Sequence, residues 1–213
     1  MPHAYSRLYL NDAMHNLGDM IEFAVCDLGF APDTFWRWFI SSGIASGFEK
    51  GNPKYIAGMS GFELAEAVLT ATNVVYEKRE PAYIAHKGRE YWAGWVMAYY
   101  QWETGKRFED MAKYGLTLST VFSMYILHEA DESKFVDAAN EIIARNKANR
   151  KTKLYEIRKA RGYTQQQLSE ASGVTLRMIQ LYEQKQNDIK KAQVTVVLRL
   201  AKTLGCEVED LLD

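Results

Sequence analysis

The chain has 213 residues, of which 47% are hydrophobic, 25% are charged and 13% are aromatic. Its 26 Lys and Arg residues nearly balance 27 Asp and Glu residues, which excludes a disordered acidic protein, a low-complexity chain and a uniformly basic, histone-like protein. This length allows one large domain or two smaller ones.

The N-terminal residues lack the charged and then apolar order of a signal peptide, and no apolar run reaches the ~18 residues that a membrane span needs. We therefore predict a soluble, cytoplasmic protein that has no membrane partner. The two cysteines, Cys26 and Cys206, lie too far apart in the sequence to suggest a disulfide framework. We expect both thiols to be buried and reduced.

Charged and aromatic residues are unevenly distributed along the chain. Residues 151–206 carry 11 Lys and Arg against 4 Asp and Glu, a net charge of +7, whereas residues 1–150 carry a net charge of −4. All five Trp, all nine Phe and all four Pro residues precede residue 136. This shift predicts two domains, residues 1–145 and residues 153–213, joined by a basic, apolar-poor linker at residues 146–152.

Helical periodicity dominates the first domain. Apolar residues recur at steps of three and four over residues 10–28, and Gly29 is the expected stop. Ser60 and Glu63 form a capping-box pattern at the start of another helix. The predicted helices after the first one cover residues 33–40, 61–75, 88–104, 107–114, 118–127 and 133–148. Because no segment shows sustained period-two alternation, the domain is predicted to be all-α.

Residues 43–61 contain five glycines and are predicted to form a long ordered loop. Lys50 and Lys54 in this stretch invite a phosphate-binding interpretation. However, the segment lacks the G-x-x-x-x-G-K-[ST] order of a phosphate-binding loop, and no strong strand precedes it. We therefore favour a structural role for the loop.

The predicted helix at residues 88–104 is rich in aromatic side chains. Aromatic residues at helical spacing hold a ring-shaped ligand, stack bases or, more commonly, fill a core or a protein interface. We predict a partner-binding role in this domain for Trp92, Trp95, Tyr99 and Trp102.

No catalytic or metal-binding constellation stands out in the sequence. The four histidines, none of them at a zinc-ligand spacing, are His3, His15, His86 and His128. A possible acid–base cluster consists of His128, Glu129 and Asp131. No nearby residue is a nucleophile with a partner that would orient it. We therefore expect no metal, no cofactor and no enzyme activity.

Residues 153–184 follow the order of a helix-turn-helix. After a first helix that ends at Gly162, Thr164 and Gln167 form a T-x-x-Q capping box for a second helix. Ser169 is the small residue that a close helix crossing requires, and Gly173, four residues later, reverses the chain in the left-handed conformation. A third helix, over residues 175–184, is predicted to follow.

The apolar residues of this region define a predicted core. Leu154 and Ile157 form the inner face of the first helix, Leu168 anchors the second, and Val174 packs beneath the turn. Residues predicted to face inward beyond the turn are Ile179, Tyr182, Val194, Val197, Leu198, Leu200 and Ala201, with Leu211 and Leu212 closing the bundle.

On these residues, the segment from about residue 152 to residue 213 resembles the helix-turn-helix family of phage repressors and Cro-like (XRE-type) regulators. The resemblance implies a five-helix, repressor-like domain that reads the major groove of double-stranded DNA with helix 175–184. It also implies a sequence-specific transcriptional regulator that acts as a repressor. Because one such domain covers only part of an operator, we expect a homodimer, with residues 1–145 as a sensing, dimerisation or partner-binding domain. A helix-turn-helix that has lost DNA binding is the alternative, and the charge of residues 151–206 argues against it.

The resemblance assigns roles to individual residues. Gln165 would grip a phosphate at a helix N-terminus, Arg177 would contact guanine and Leu176 a thymine methyl group. Arg158 and Glu183 would form a buried ion pair. The full set of DNA-binding residues that the resemblance implies is Thr164, Gln165, Thr175, Leu176, Arg177, Gln180, Leu181, Lys185, Lys190 and Lys191.

The N-terminal domain has a resemblance of its own. The segment EYWAGWVMAYYQWETGKRFEDM, from Glu90, resembles uncharacterised helix-turn-helix proteins of gut bacteria, some of whose genes neighbour putative toxin genes. This implies an alternative function as an antitoxin, which binds a toxin through its N-terminal domain and represses its own operon. A third hypothesis, an enzyme fused to a regulatory DNA-binding module, has no catalytic residues to support it.

Overall fold

The computed structural model describes residues 3–82 and 87–212, so His86 lies outside the described residues. Within these two ranges the chain is helical and contains no β-strand, and the predicted all-α class is confirmed. The chain divides into two compact units, Met1–Ala148 (unit 1) and Asn149–Asp213 (unit 2). None of the described helices is both long enough and apolar enough to cross a membrane.

Among the described residues, unit 1 contains nine α-helices, the last of which ends one residue beyond the unit's boundary. These are α1 Leu10–Glu22, α2 Pro32–Ser41, α3 Ile44–Glu49, α4 Pro53–Ile56, α5 Gly61–Ala71, α6 Arg89–Thr104, α7 Phe108–Lys113, α8 Leu118–Ser123 and α9 Glu132–Asn149. A π-helical segment, Phe23–Asp27, extends α1, and a 3-10 helix, Tyr125–Glu129, follows α8. Residues 146–149, predicted as linker, are therefore helical.

Two glycines allow α1 and α6 to pack closely. A Cβ atom on Gly94 would lie 2.2 Å from the carbonyl oxygen of Leu17, and one on Gly18 would lie 2.7 Å from the ring of Tyr91. Any side chain at these positions would push the helices apart. The two helices therefore form the central pair of unit 1, although they lie far apart in the sequence.

The predicted capping box at the start of α5 is confirmed. The hydroxyl of Ser60 accepts a hydrogen bond from the Glu63 backbone N–H (3.3 Å), and the Glu63 carboxylate accepts one from the Ser60 N–H (2.8 Å). The helix ends at Ala71, earlier than predicted. This cap directs α5 onto α1, where Gly61 lies against the backbone of Asn16.

Residues 43–61 do not form a loop, and that prediction is wrong. They contain the short helices α3 and α4, whose side chains Ile44, Phe48 and Ile56 are buried in unit 1. Gly43 precedes α3 in the left-handed conformation and Gly47 lies within that helix, while the Asn52 side chain caps α4 by accepting a hydrogen bond from the Lys54 N–H. Burial in the core stabilises helices that are too short to form alone.

The prediction of two buried thiols is also wrong. Cys26 is exposed and Cys206 is half-buried. Cys26 lies in the π-helical segment, where Phe23 and Ala24 point into the core and Cys26 points outward. Partial desolvation by neighbouring groups, followed by nearby carboxylates (Glu90 for Cys26, Asp210 for Cys206), raises the pKa of both thiols.

Unit 2 contains four α-helices and two single 3-10 turns among its described residues. These are α10 Lys153–Ala160, α11 Gln165–Ser172, α12 Leu176–Glu183 and α13 Val194–Leu204, with turns at Ile189–Lys191 and Glu209–Leu211. The predicted fifth helix is thus a 3-10 turn, in which Leu211 is fully buried. The core between the helices is small and mainly aliphatic.

Candidate nucleic-acid interface

The turn between α11 and α12 has the geometry that the sequence predicts. Thr164 and Gln167 form the capping box of α11. Gly173 adopts the left-handed conformation with φ of 68°, which reverses the chain. Thr175 then caps α12, since its hydroxyl accepts a hydrogen bond from the Met178 N–H.

Ser172 also stabilises this turn, a role that was not predicted from the sequence. Its buried hydroxyl donates to the carbonyl of Leu168 (2.6 Å) and accepts from the N–H of Val174 (3.2 Å). The hydroxyl therefore joins the end of α11 to the turn. A serine immediately before the turn glycine was the available sequence signal, because serine bonds nearby backbone groups readily.

The inner faces of α11 and α12 hold the turn against the core of unit 2. Leu168, Val174, Ile179 and Tyr182 are all buried, which confirms their predicted orientation. The outer face of α12 is thereby left for a partner.

Two residues of α13 depart from prediction. Val197, Leu200 and Ala201 are buried as expected, but Val194 is 71% exposed and Leu198 is 50% exposed. Val194 and Leu198 lie four residues apart and therefore share one helix face. This face points outward, because the small core is already filled by the other side of α13.

A buried ion pair connects α10 to the end of α12. The Arg158 guanidinium donates to both carboxylate oxygens of Glu183, with Nε–Oε1 at 2.5 Å and Nη2–Oε2 at 2.8 Å. Both side chains are 3% exposed. The remaining guanidinium nitrogen donates to the carbonyl of Tyr163 (2.7 Å), and the bond to Glu183 raises the pKa of Arg158.

Gln165 also belongs to the hydrogen-bond network around the ion pair, a contact that the sequence pattern did not predict. Its amide nitrogen donates to Oε2 of Glu183 at 2.7 Å, and the residue is half-buried. The side chain at the start of α11 is therefore fixed by the same carboxylate that holds Arg158. This contact holds the Gln165 side-chain amide beside the N-terminus of α11. Helix N-termini attract anions.

The predicted base-contacting residues lie at the N-terminal end and along the outer side of α12. Thr175 and Arg177 are exposed, while Leu176, Gln180 and Leu181 are half-buried. Arg177 makes no hydrogen bond or ion pair with any other described residue. A flexible guanidinium at this position is able to bond two acceptors in one plane.

The predicted phosphate-contacting lysines follow α12. Lys185 has a positive φ of 58°, the conformation that ends the helix region, and its side chain is exposed. Lys190 and Lys191 lie in the 3-10 turn that the Asp188 side chain caps, and both are exposed. Thr164, at the start of α11, is exposed as well.

The aromatic residues predicted to bind a partner have different environments. Trp102 is buried, donates its indole N–H to the carbonyl of Tyr5 (2.8 Å) and stacks on His3 at 3.7 Å. It therefore cannot form a partner surface, and that prediction is wrong. Trp92, Trp95 and Tyr99 are half-buried at the edge of the unit 1 core.

The His128 cluster has an ordinary structural explanation. The His128 ring stacks on Tyr125 at 4.2 Å and hydrogen-bonds its carbonyl at 2.7 Å. Glu129 and Asp131 are exposed, and Asp131 bonds the Ser133 N–H at the start of α9. Among the described residues, no group of three His, Cys, Asp or Glu side chains is placed to hold a metal.

Comparison with known proteins gives one match. A family model described as Helix-turn-helix matches residues 154–211. This segment is therefore a helix-turn-helix domain, the class that DNA-binding regulators carry. No curated protein and no solved structure matches the chain.

Proposed function

We propose that this protein is a sequence-specific, DNA-binding transcriptional regulator that reads the major groove with α12 and acts as a repressor. The observation that carries the proposal is the helix-turn-helix geometry of α11 and α12, with Arg177 exposed near the start of the second helix. In helix-turn-helix domains, the N-terminal residues of the second helix contact base edges.

The proposal assigns a role to each residue of the predicted interface. Arg177 bonds the O6 and N7 atoms of a guanine, and Leu176 contacts a thymine methyl group. Thr175, Gln180 and Leu181 complete the surface that faces the groove. Thr164, Gln165, Lys185, Lys190 and Lys191 bond the phosphate backbone, which positions the helix without carrying sequence information.

The charge of this region supports DNA as the partner. Residues 151–206 carry a net charge of +7, although the chain as a whole carries a net charge of −1. A basic segment that flanks a recognition helix attracts phosphates over a distance of about 10 Å at moderate salt. The basic residues are thus concentrated in the unit that contains the recognition helix.

We further propose that the protein binds its operator as a homodimer. One eight-residue helix reads only a few base pairs, and two related half-sites about 34 Å apart supply the missing affinity. Val194 and Leu198 on α13 form an exposed apolar face that suits contact with the same face of a second copy. Leu198→Glu is expected to weaken dimer formation, measured by analytical ultracentrifugation on the operator duplex and without it.

The antitoxin alternative retains the same DNA-binding helix and adds a protein partner for unit 1. Three large apolar side chains of that unit, Leu8, Val75 and Ile126, are exposed and accessible to such a partner. Co-purification of the full chain from its native cells distinguishes the two functions. A stoichiometric protein partner whose activity the chain neutralises supports the antitoxin, and operator binding without such a partner supports a dedicated repressor.

The proposal is tested by selecting duplexes from a random library with the full-length protein. We expect enrichment of one motif that is repeated with two-fold symmetry. Arg177→Ala should change the selected sequence at one position of each half-site, whereas Arg199→Ala, an exposed arginine on α13, should not. If no motif is enriched, or if both variants select the wild-type sequence, α12 does not read bases.

A further inference from the structure

A groove at the surface of unit 1 is lined mainly by aromatic side chains. It has a volume of about 260 Å³ and lies between α6, the 3-10 helix at Tyr125–Glu129 and the start of α9. Its aromatic residues are Tyr91, Trp92, Trp95, Tyr125, His128 and Phe135. This size is slightly below the usual range for small-molecule pockets, so the groove fits a compact ligand with one or two rings.

Several rings that line the groove pack against one another, whereas the Trp95 indole packs against no other ring among the described residues. The Trp92 ring packs edge-on against the rings of Tyr125 and Phe135, with 5.7 Å between ring centroids in each pair. Phe135 is 1% exposed. Trp95, by contrast, is half-buried and has no ring partner among the described residues. Its indole is therefore available to a ligand while its neighbours keep the groove open.

The charges around the groove favour a cation. Glu132 lines it, and this carboxylate has no hydrogen bond or ion pair with any described residue. Burial, followed by the carboxylates of Glu103, Glu132 and Asp131, raises the pKa of the neighbouring Tyr99. The Arg7 guanidinium opposes this shift of the Tyr99 pKa, but Arg7 does not line the groove. Among the described lining residues, the Glu132 carboxylate is the negative charge that has no basic partner.

Among the described residues that line the groove, Lys87 and His128 are the basic side chains, and two carboxylates already neutralise Lys87. Its ammonium bonds Asp19 at 2.8 Å and Glu22 at 2.6 Å, and it lies 4.6 Å from the centre of the Tyr91 ring. The pKa of Tyr91 is raised to about 12 by burial and then by Asp19, with Lys87 acting in the opposite direction. An anionic ligand would therefore meet excess negative charge.

From these observations we infer that the groove of unit 1 is a binding site for a compact organic cation, held by the Trp95 indole and the Glu132 carboxylate. Aromatic faces attract organic cations, and an unpaired carboxylate adds to that attraction when the site is partly shielded from water. Unit 1 binds this cation whether or not unit 2 binds DNA.

The test uses the full chain and three ring compounds of similar size at about pH 8, where quinoline is uncharged. The compounds are 1-methylquinolinium (a cation), quinoline (neutral) and 2-naphthoate (an anion). Binding is measured by isothermal titration calorimetry and by quenching of tryptophan fluorescence. We expect the cation to bind about tenfold more tightly than quinoline, and 2-naphthoate to bind more weakly than either.

Four variants locate the site. Glu132→Gln should weaken binding of the cation about three- to tenfold and leave quinoline unchanged, whereas Glu141→Gln, on the exposed side of the same helix, should change neither. Trp95→Leu should abolish measurable binding, whereas Trp38→Leu, a half-buried tryptophan outside the groove, should not. Equal affinity for the three compounds, absence of binding, or identical effects of Glu132→Gln and Glu141→Gln would each overturn the inference.

Discussion

Unit 1 and unit 2 are stabilised by different kinds of core. In unit 1, the rings of Trp36, Phe39 and Phe108 lie 5.1 to 5.5 Å from one another, and the central helices meet at Gly18 and Gly94. Unit 2 has a small, mainly aliphatic core and a buried ion pair between Arg158 and Glu183.

This difference predicts which substitutions destabilise each unit most. A large, close-packed core responds to small changes in volume. A small core that contains a paired charge responds most strongly to loss of one partner, because the remaining charge stays buried.

The largest effect is expected for Arg158→Met in unit 2. The substitution leaves the Glu183 carboxylate buried without its cation, and we expect the free energy of unfolding to fall by about 3–5 kcal/mol. Urea unfolding followed by backbone hydrogen exchange of α10 and α12 measures it. The double variant Arg158→Met/Glu183→Leu should recover most of the loss. Unchanged stability of the single variant would contradict the role of the ion pair.

In unit 1, Gly94→Ala should be the corresponding sensitive change. The added methyl group would lie 2.2 Å from the Leu17 carbonyl oxygen, so we expect destabilisation of about 3 kcal/mol, the upper end of typical overpacking costs. Tryptophan fluorescence during urea unfolding measures it, because all five tryptophans precede residue 103. The control is Gly88→Ala, whose methyl group would meet Glu90 at 3.4 Å and no other described residue within 4 Å. A similar effect of both variants would refute the close helix crossing.

Arg177→Ala tests base recognition rather than stability. We expect operator binding to weaken by about 1–3 kcal/mol and the base preference to relax at one position. Competition between the operator and single-base variants of it measures both quantities. Arg199→Ala serves as the matched control. Equal losses on operator and random DNA would assign Arg177 to the phosphate backbone instead.

The smallest effect is expected for Lys190→Ala. Loss of one phosphate contact should weaken binding to all sequences by a similar factor and reduce the slope of log K against log salt by about 0.9. Fluorescence anisotropy over a series of salt concentrations measures the slope. A change in base preference with an unaltered slope would contradict a phosphate contact.

Local signals in the sequence were sufficient to predict much of unit 2. The capping boxes, the left-handed Gly173 and the inward residues Ile179 and Tyr182 each depend on neighbours within about one helical turn. The bond from Gln165 to Glu183 was not predictable in this way, because it joins residues 18 positions apart.

Unit 1 was less predictable because its structure depends on distant contacts. The short helices α3 and α4 form since Phe48 and Ile56 are buried by other parts of the chain, so glycine content alone gave the wrong prediction. Trp102 was predicted to bind a partner, and its hydrogen bond to Tyr5, which joins residues 97 positions apart, was not visible in the local pattern. Helical periodicity likewise did not show that Leu198 would point outward.

The central claim, that Arg177 contacts the edge of a guanine, is tested most directly by removing the acceptor from the DNA. Single guanines of the selected operator are replaced with 7-deazaguanine, which lacks the N7 atom. We predict one position in each half-site at which the replacement weakens binding of the wild-type protein but leaves binding of the Arg177→Ala variant unchanged. Replacements that weaken both proteins equally at every position would contradict the claim.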